Sequence, residues 1–128
     1  MKTFVIIFLC FIAFESFSQS TWKAPVEAKA IKNPLKGDEN AAISGQQIFE
    51  LLCTVCHGDT GRGDGVTLEY LNPKPANLTS KQIQDQTAGE IYWKITTGSP
   101  PMQSYVNVLS GNEIWQVVTY VKTLGTDE

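Results

Sequence analysis

The residues best suited to chemistry form one pentapeptide, Cys53-Thr54-Val55-Cys56-His57. Its pattern, C-x-x-C-H, is the attachment signature of c-type haem. Residues three apart on a helix share a face, so both thiols can reach the two vinyl groups on one porphyrin edge. His57 can then place one imidazole nitrogen on the iron while the other donates to a backbone carbonyl, which we expect near Pro73 or Pro75. The pentapeptide predicts one covalently attached haem c, with Cys53 and Cys56 as attachment residues and His57 as an axial ligand.

Three other interpretations of this pentapeptide are less consistent with the sequence. A thioredoxin-like redox pair needs a strand–helix context in an α/β fold, and the sequence shows none. A zinc site needs a fourth ligand, but the chain has a single histidine and no further cysteine after Cys56. A disulfide between Cys53 and Cys56 would leave the adjacent His57 unexplained. Haem attachment is the interpretation that uses all three residues.

The second axial ligand is approached by elimination. His57 is the only histidine, and Met102 is the only methionine besides Met1. A lone methionine is more often a filler of the core than a ligand. However, Met102 lies in a loop between two predicted helices, far along the chain from His57, and Pro100 and Pro101 restrict the chain before it. Once a haem is granted, these features predict Met102 as the sixth ligand, and His/Met ligation favours electron transfer at a raised potential.

The N-terminus has the pattern of a secretory signal peptide. A positive start at Met1-Lys2 precedes an apolar run from Thr3 to Phe14, and Ser16 and Ser18 are small residues two apart. The run is too short to cross a bilayer comfortably. We therefore expect residues 1–18 to be removed, together with Cys10, and the protein to be exported to the periplasm, without a transmembrane segment after cleavage.

Composition limits the partners. The net charge is −3 and no block of like charges occurs, so a basic footprint for nucleic acid is absent. We expect redox protein partners or a membrane-bound respiratory complex instead. The glycines between Gly58 and Gly65 do not form a nucleotide-binding loop, because no strand precedes them. Trp93 and Trp115 are expected to pack helices or a haem pocket rather than form a binding platform.

The pattern of helices and loops predicts an all-α domain. Residues 19–43 are polar and broken by Pro25, Pro34 and Gly37, which indicates an extended leader or strap. Residues 44–128 would form one domain of three to four short helices with long loops around the haem. Its first helix would run from a cap at Ser44 to His57, and residues 58–78 would form a long loop with at most one helical turn. Capping boxes at residues 87–90 and 110–113 open two more helices, the last reaching Leu124 before Gly125.

These motifs resemble the class I c-type cytochromes over residues 44–124. Members of that family are similar in having a glycine and an aromatic before the first cysteine, matched here by Gly45 and Phe49, and an apolar residue and a tyrosine in the last helix, matched by Val117 and Tyr120. Residues 57–65, 74–78 and 93–98, followed by Pro101-Met102, resemble the small bacterial members. The resemblance implies the helical cytochrome c fold, a His/Met-ligated haem and an electron-carrier role.

Three functions remain at this point. The first is an exported monohaem carrier that transfers single electrons and catalyses no bond chemistry. The second is a haem c subunit of a larger respiratory oxidoreductase, with the leader as its docking strap. The third is a five-coordinate haem enzyme or sensor with Met102 unbound, for which the sequence offers no distal acid–base pair, since it has no second histidine and Arg62 is its only arginine.

Overall fold

The computed structural model describes residues 22–125, and within this range the chain is helical and has no β-strand. The predicted signal peptide lies outside the described residues. The elements are α1 (Glu39–Leu52), α2 (Thr54–His57), α3 (Lys81–Gln84), α4 (Ala88–Thr97) and α5 (Gly111–Val121), with 3₁₀ segments at Val26–Ala30 and Leu68–Tyr70. The all-α prediction is confirmed. Two of the five helices in this range are single turns, and α3 was not predicted.

The first helix begins earlier than its predicted cap. Asp38, in an extended conformation, accepts a hydrogen bond from the Ala41 N–H at 3.0 Å and so caps α1. The predicted cap at Ser44 was therefore wrong, because Ser44 lies one turn inside the helix. Residues 39–43, which we assigned to the leader, belong to α1. The predicted single helix to His57 is also interrupted, since Cys53 ends α1 before α2 begins.

Both predicted capping boxes are present. The hydroxyls of Thr87 and Ser110 accept from the backbone of Glu90 and Glu113, whose carboxylates accept in return from the two cap residues. The last helix ends at Val121 rather than near Leu124. Beyond Val121 the chain continues in tighter turns, because the N–H groups of Thr123 and Leu124 donate to the carbonyls three residues earlier. Lys122 Nζ donates to the carbonyls of Gln84 and Gln86.

The core is centred on the crossing of α1 and α5. A Cβ atom on Gly45 would overlap the backbone carbonyl of Gln116, so the two helices approach backbone to backbone. One turn later the Phe49 and Tyr120 rings meet with centroids 5.3 Å apart, and Phe49, Val117 and Val118 are at most 2% exposed. The residues that match the family, Gly45, Phe49, Val117 and Tyr120, therefore meet where the two helices cross.

The described part of the leader lies against the helices. Ala28 is 2% exposed, and a Cβ atom on Gly89 would overlap the Ala28 carbonyl, so the Val26–Ala30 segment packs closely on α4. Asn33 Nδ2 donates to the Thr119 hydroxyl of α5 at 3.0 Å. Among residues 22–125, no helix has the length and apolar character needed to cross a membrane.

Gly45→Ala should destabilise the protein by about 1–3 kcal/mol, because the new methyl group would force α1 and α5 apart. The measurement is denaturant unfolding of the purified protein. Gly111→Ala is the matched control, since a Cβ there meets only the Tyr92 hydroxyl, at 3.2 Å. Equal stability of the Gly45→Ala variant and the control would contradict the close crossing.

Candidate functional site

The two cysteines lie at the junction of α1 and α2. The Cys53 carbonyl accepts from the N–H groups of Cys56 and His57 at 3.1 and 2.9 Å, which holds the pentapeptide in a tight helical turn. Both sulfurs are free thiols on half-buried residues. Burial, and to a lesser degree the neighbouring Cys56, raises the pKa of Cys53 to about 12. The turn thus presents a neutral thiol at Cys53 and a second thiol three residues on, beside an imidazole.

The His57 ring is oriented by a distant loop. Its Nδ1 lies 3.2 Å from the Ala76 carbonyl oxygen, an acceptor that requires a proton on Nδ1 and so leaves the lone pair on Nε2. Burial lowers the pKa of His57, although the hydrogen bond to Ala76 acts in the opposite direction. The ring is therefore a neutral imidazole with one free nitrogen, the form that binds a metal. The carbonyl expected near Pro73 or Pro75 is that of Ala76, which follows Pro75.

The long loop after His57 folds back over the pentapeptide. Gly63 N–H donates to the His57 carbonyl at 2.7 Å, and Gly65 N–H to the Cys56 carbonyl at 3.2 Å. Gly63 has φ +80°, and a Cβ on Gly65 would overlap the carbonyls of Val55 and Cys56. These glycines therefore allow the loop backbone to lie in close contact with the pentapeptide.

Met102 lies in a short loop that is hydrogen-bonded to the C-terminal end of α1, next to the cysteines. It exchanges backbone hydrogen bonds of 2.8 and 2.9 Å with Ser99, and its half-buried side chain packs against the core. Beyond it, the buried Tyr105 donates from its hydroxyl to the Leu52 carbonyl at 3.2 Å. The pKa of Tyr105 is raised, first by burial and then by the nearby Cys53. The Met102 loop is therefore anchored beside the cysteines.

Sequence reasoning missed two supporting residues, Tyr105 and Thr67. Tyr105 acts through a hydrogen bond to the Leu52 carbonyl, 53 residues earlier in the chain. Thr67 donates from its hydroxyl to the Val55 carbonyl at 2.8 Å and lies 3.5 Å from the Cys56 sulfur. The only sequence feature that could have indicated Tyr105 is its position, since it is an aromatic residue three positions after Met102.

The tryptophans act in packing. Trp115 stacks on Tyr92 with centroids 4.0 Å apart and an interplanar angle of 22°. Trp93 meets Trp22 of the leader at 6.3 Å, and Lys94 lies over the Trp22 ring at 5.3 Å. The helix-packing interpretation of both tryptophans is supported, and the second pair also attaches the leader to α4.

The donor set fits a covalently held haem. Two free thiols in one turn suit two thioether bonds, and a neutral imidazole with an available Nε2 suits the iron. The competing interpretations lack their context in residues 22–125: no strand supports a thioredoxin-like pair, and no group of three or more histidine, cysteine or acidic residues could hold another metal ion.

Comparisons with known proteins agree with this chemistry. The family model described as cytochrome C oxidase, cbb3-type, subunit III matches residues 40–121, more than half of the chain. No curated protein matches the sequence.

Solved structures share the fold. A chain of the Kuenenia stuttgartiensis reducing HAO-like protein complex Kustc0457/Kustc0458 is 30% identical with a TM-score of 0.65, over 73% of this chain and 49% of that one. The chain thus matches about half the length of that relative. Cytochrome CL from Methylophaga aminisulfidivorans MPT is 20% identical with a TM-score of 0.54, over 70% of this chain and 59% of that one. The KustC0563 c-type cytochrome is 23% identical with a TM-score of 0.53, over 62% and 95%.

The family match over residues 40–121 includes the C-x-x-C-H turn and all five helices except the first residue of α1. The chain belongs to the class I c-type cytochromes, a family of haem electron-transfer proteins.

Proposed function

We propose that this chain is an exported monohaem cytochrome that carries single electrons between redox partners. The observation that carries the proposal is the contact of His57 Nδ1 with the Ala76 carbonyl, because it leaves Nε2 free and fixes the ring. When bound, the haem iron supplies the one-electron chemistry by changing between its ferrous and ferric states. The residues of the chain would attach the haem, ligate its iron and orient the ligands.

Four side chains would hold the haem. Cys53 and Cys56 would form the two thioether bonds, and His57 and Met102 would ligate the iron. Covalent attachment keeps the cofactor in a protein that is diluted after export. The Ala76 carbonyl holds the His57 ring in one tautomer. The two backbone hydrogen bonds between Ser99 and Met102 hold the loop that carries Met102.

A carrier fits this site better than an enzyme or a sensor. With His57 and Met102 both bound to the iron, no coordination position would remain open to a substrate or a gas. The sequence offers no distal acid–base pair of histidine and arginine, since it has no histidine besides His57 and no arginine besides Arg62. Export rests on the signal-like residues 1–18 and places the carrier in the periplasm.

A role as a subunit of a larger assembly is the second candidate. The family model is described as a subunit of an oxidase. One similar structure is a chain of a protein complex, and this chain covers 49% of that chain. The leader also offers an element that such an assembly could use. Copurification of a stable partner would favour this function, whereas an isolated monomer that is fully active as an electron carrier would favour the free carrier.

Met102→Ala should keep the haem attached but lower its reduction potential by at least about 60 mV. This shift corresponds to a methionine ligand that binds ferrous iron about ten times more strongly than ferric iron. The open position should also bind carbon monoxide in the reduced state. A potentiometric titration and a carbon monoxide difference spectrum measure the two effects. Val106→Ala, in the same loop, is the matched control because the Val106 side chain is 54% exposed. If the Met102→Ala variant keeps its potential and excludes the gas, Met102 is not the ligand.

Cys53→Ala combined with Cys56→Ala should abolish covalent haem, since no sulfur remains to form a thioether bond. The measurement is haem staining of the denatured protein together with its intact mass. Cys10→Ala is the control, because Cys10 lies in the predicted signal and should leave attachment unchanged. Haem that stays bound to the denatured double variant would contradict the attachment residues.

A further inference from the structure

A cavity of about 490 Å³ lies between the leader and three helices. Its walls come from the leader, the start of α1, the start of α4 and the C-terminal end of α5. Its volume is typical of sites that bind small molecules, which measure about 300–1,000 Å³. The cysteine turn follows the other end of α1, and the 14 residues of that helix separate the two places by about 20 Å. The cavity is therefore distinct from the haem site.

The leader forms a fixed wall of this cavity. Asn33 Nδ2 donates to the Thr119 hydroxyl of α5 at 3.0 Å, and Asn33 Oδ1 accepts from the Leu35 N–H at 2.9 Å. The Ala28 carbonyl lies so close to Gly89 of α4 that a Cβ atom there would overlap it. The leader is thus attached to both α4 and α5, and its position does not depend on a ligand.

Positive charge is concentrated around the cavity. The lining includes four lysines, Lys29, Lys32, Lys36 and Lys122. They are four of the ten lysine and arginine residues in a chain whose net charge is −3. Within residues 22–125, the one salt bridge joins Lys81 and Asp85. In this part of the chain, none of the four ammonium groups at the cavity is paired with a carboxylate.

Two carboxylates in the wall offset only part of this charge. Asp38 accepts from the Ala41 N–H at 3.0 Å as the cap of α1, and Glu39 is exposed in the first turn of that helix. Four ammonium groups and two carboxylates leave an excess of two positive charges at the cavity. A ligand with two negative charges would balance this excess.

Lys122 is held in place by the backbone. Its Nζ donates to the carbonyls of Gln84 and Gln86, and the residue is half-buried. An ammonium group has three N–H donors, so one donor remains for a ligand. Burial lowers the pKa of Lys122, although Asp85 acts in the opposite direction. An anion in the cavity would offset the cost of burying this charge.

We propose that this cavity binds a small organic phosphate monoester with an apolar body. Such a phosphate carries nearly two negative charges at neutral pH and has three terminal oxygens, so it can accept from several ammonium groups at once. The body would lie against the apolar side chains in the wall, those of Ile31, Ala42 and Ala88. The inference does not rest on the proposed function, because the haem site lies at the other end of α1.

Calorimetric titration of the haem-loaded protein with 1-naphthyl phosphate tests this proposal. One molecule should bind with a Kd below about 1 mM. The carboxylate 1-naphthoate has the same apolar body and a single charge, and it should bind at least about tenfold more weakly. The haem absorption spectrum should stay unchanged on binding, because the ligand would lie about 20 Å from the cysteine turn.

Lys32→Gln combined with Lys36→Gln should weaken the binding of 1-naphthyl phosphate at least about tenfold. The matched control is Lys23→Gln combined with Lys74→Gln, which removes the same charge from exposed lysines outside the cavity and should leave the Kd unchanged.

Ala42→Leu should also weaken binding at least about tenfold without a change in charge, because the larger side chain would occupy the cavity. Ala42→Ser keeps the space open and should bind like the unmodified protein. Thermal unfolding, followed by circular dichroism, verifies that each variant is folded.

Three results would overturn the proposal. Equal affinity for the phosphate and the carboxylate would contradict a site for two charges. An equal loss of affinity in the two double lysine variants would show that only the net charge of the protein matters. Finally, if phosphatidylglycerol vesicles bind equally to the unmodified protein and the Ala42→Leu variant while 1-naphthyl phosphate binds to neither, the lysines serve a membrane surface and not the cavity.

Discussion

The close crossing of α1 and α5 is the contact on which the other parts of the site depend. With only a hydrogen atom on Gly45, the Gln116 carbonyl reaches the α1 backbone, and the Phe49 and Tyr120 rings fill the space beyond. This crossing fixes the direction of α1 and therefore the position of its last residue, Leu52. Cys53, Cys56 and His57 follow within two helical turns, so their placement is set by helix packing rather than by their own short segment.

Two irregular segments complete the site by binding to that end of α1. The loop after His57 returns its N–H groups to the carbonyls of His57 and Cys56 and supplies the Ala76 carbonyl to the imidazole. The Met102 loop is held by the hydrogen bond from Tyr105 to Leu52. A chain with this much loop buries little apolar surface by itself. Loops that converge on one turn are the arrangement expected when a large flat cofactor completes the core.

Local patterns were sufficient for the parts of the structure that depend on neighbours in the sequence. The capping boxes at Thr87 and Ser110 were predictable because each is closed within four residues. The start of α1 was not, since both Asp38 and Ser44 are good caps, and burial of Ala41 favours the longer helix. The end of α5 was missed because the chain after Val121 continues as i→i−3 turns, and the apolar stripe that includes Leu124 does not distinguish these from an α-helix. Separation in sequence hid Tyr105, whose partner Leu52 lies 53 residues earlier in the chain.

The most direct measurement is an absorption spectrum of the periplasmically expressed protein in its oxidised and reduced states. A sharp low-spin c-type spectrum on reduction, with a weak far-red sulfur-to-iron band in the oxidised state, is the result predicted for haem bound by His57 and Met102. A high-spin spectrum without that band would contradict the account, because the iron would then have an open position and the carrier role would give way to an enzyme or a sensor.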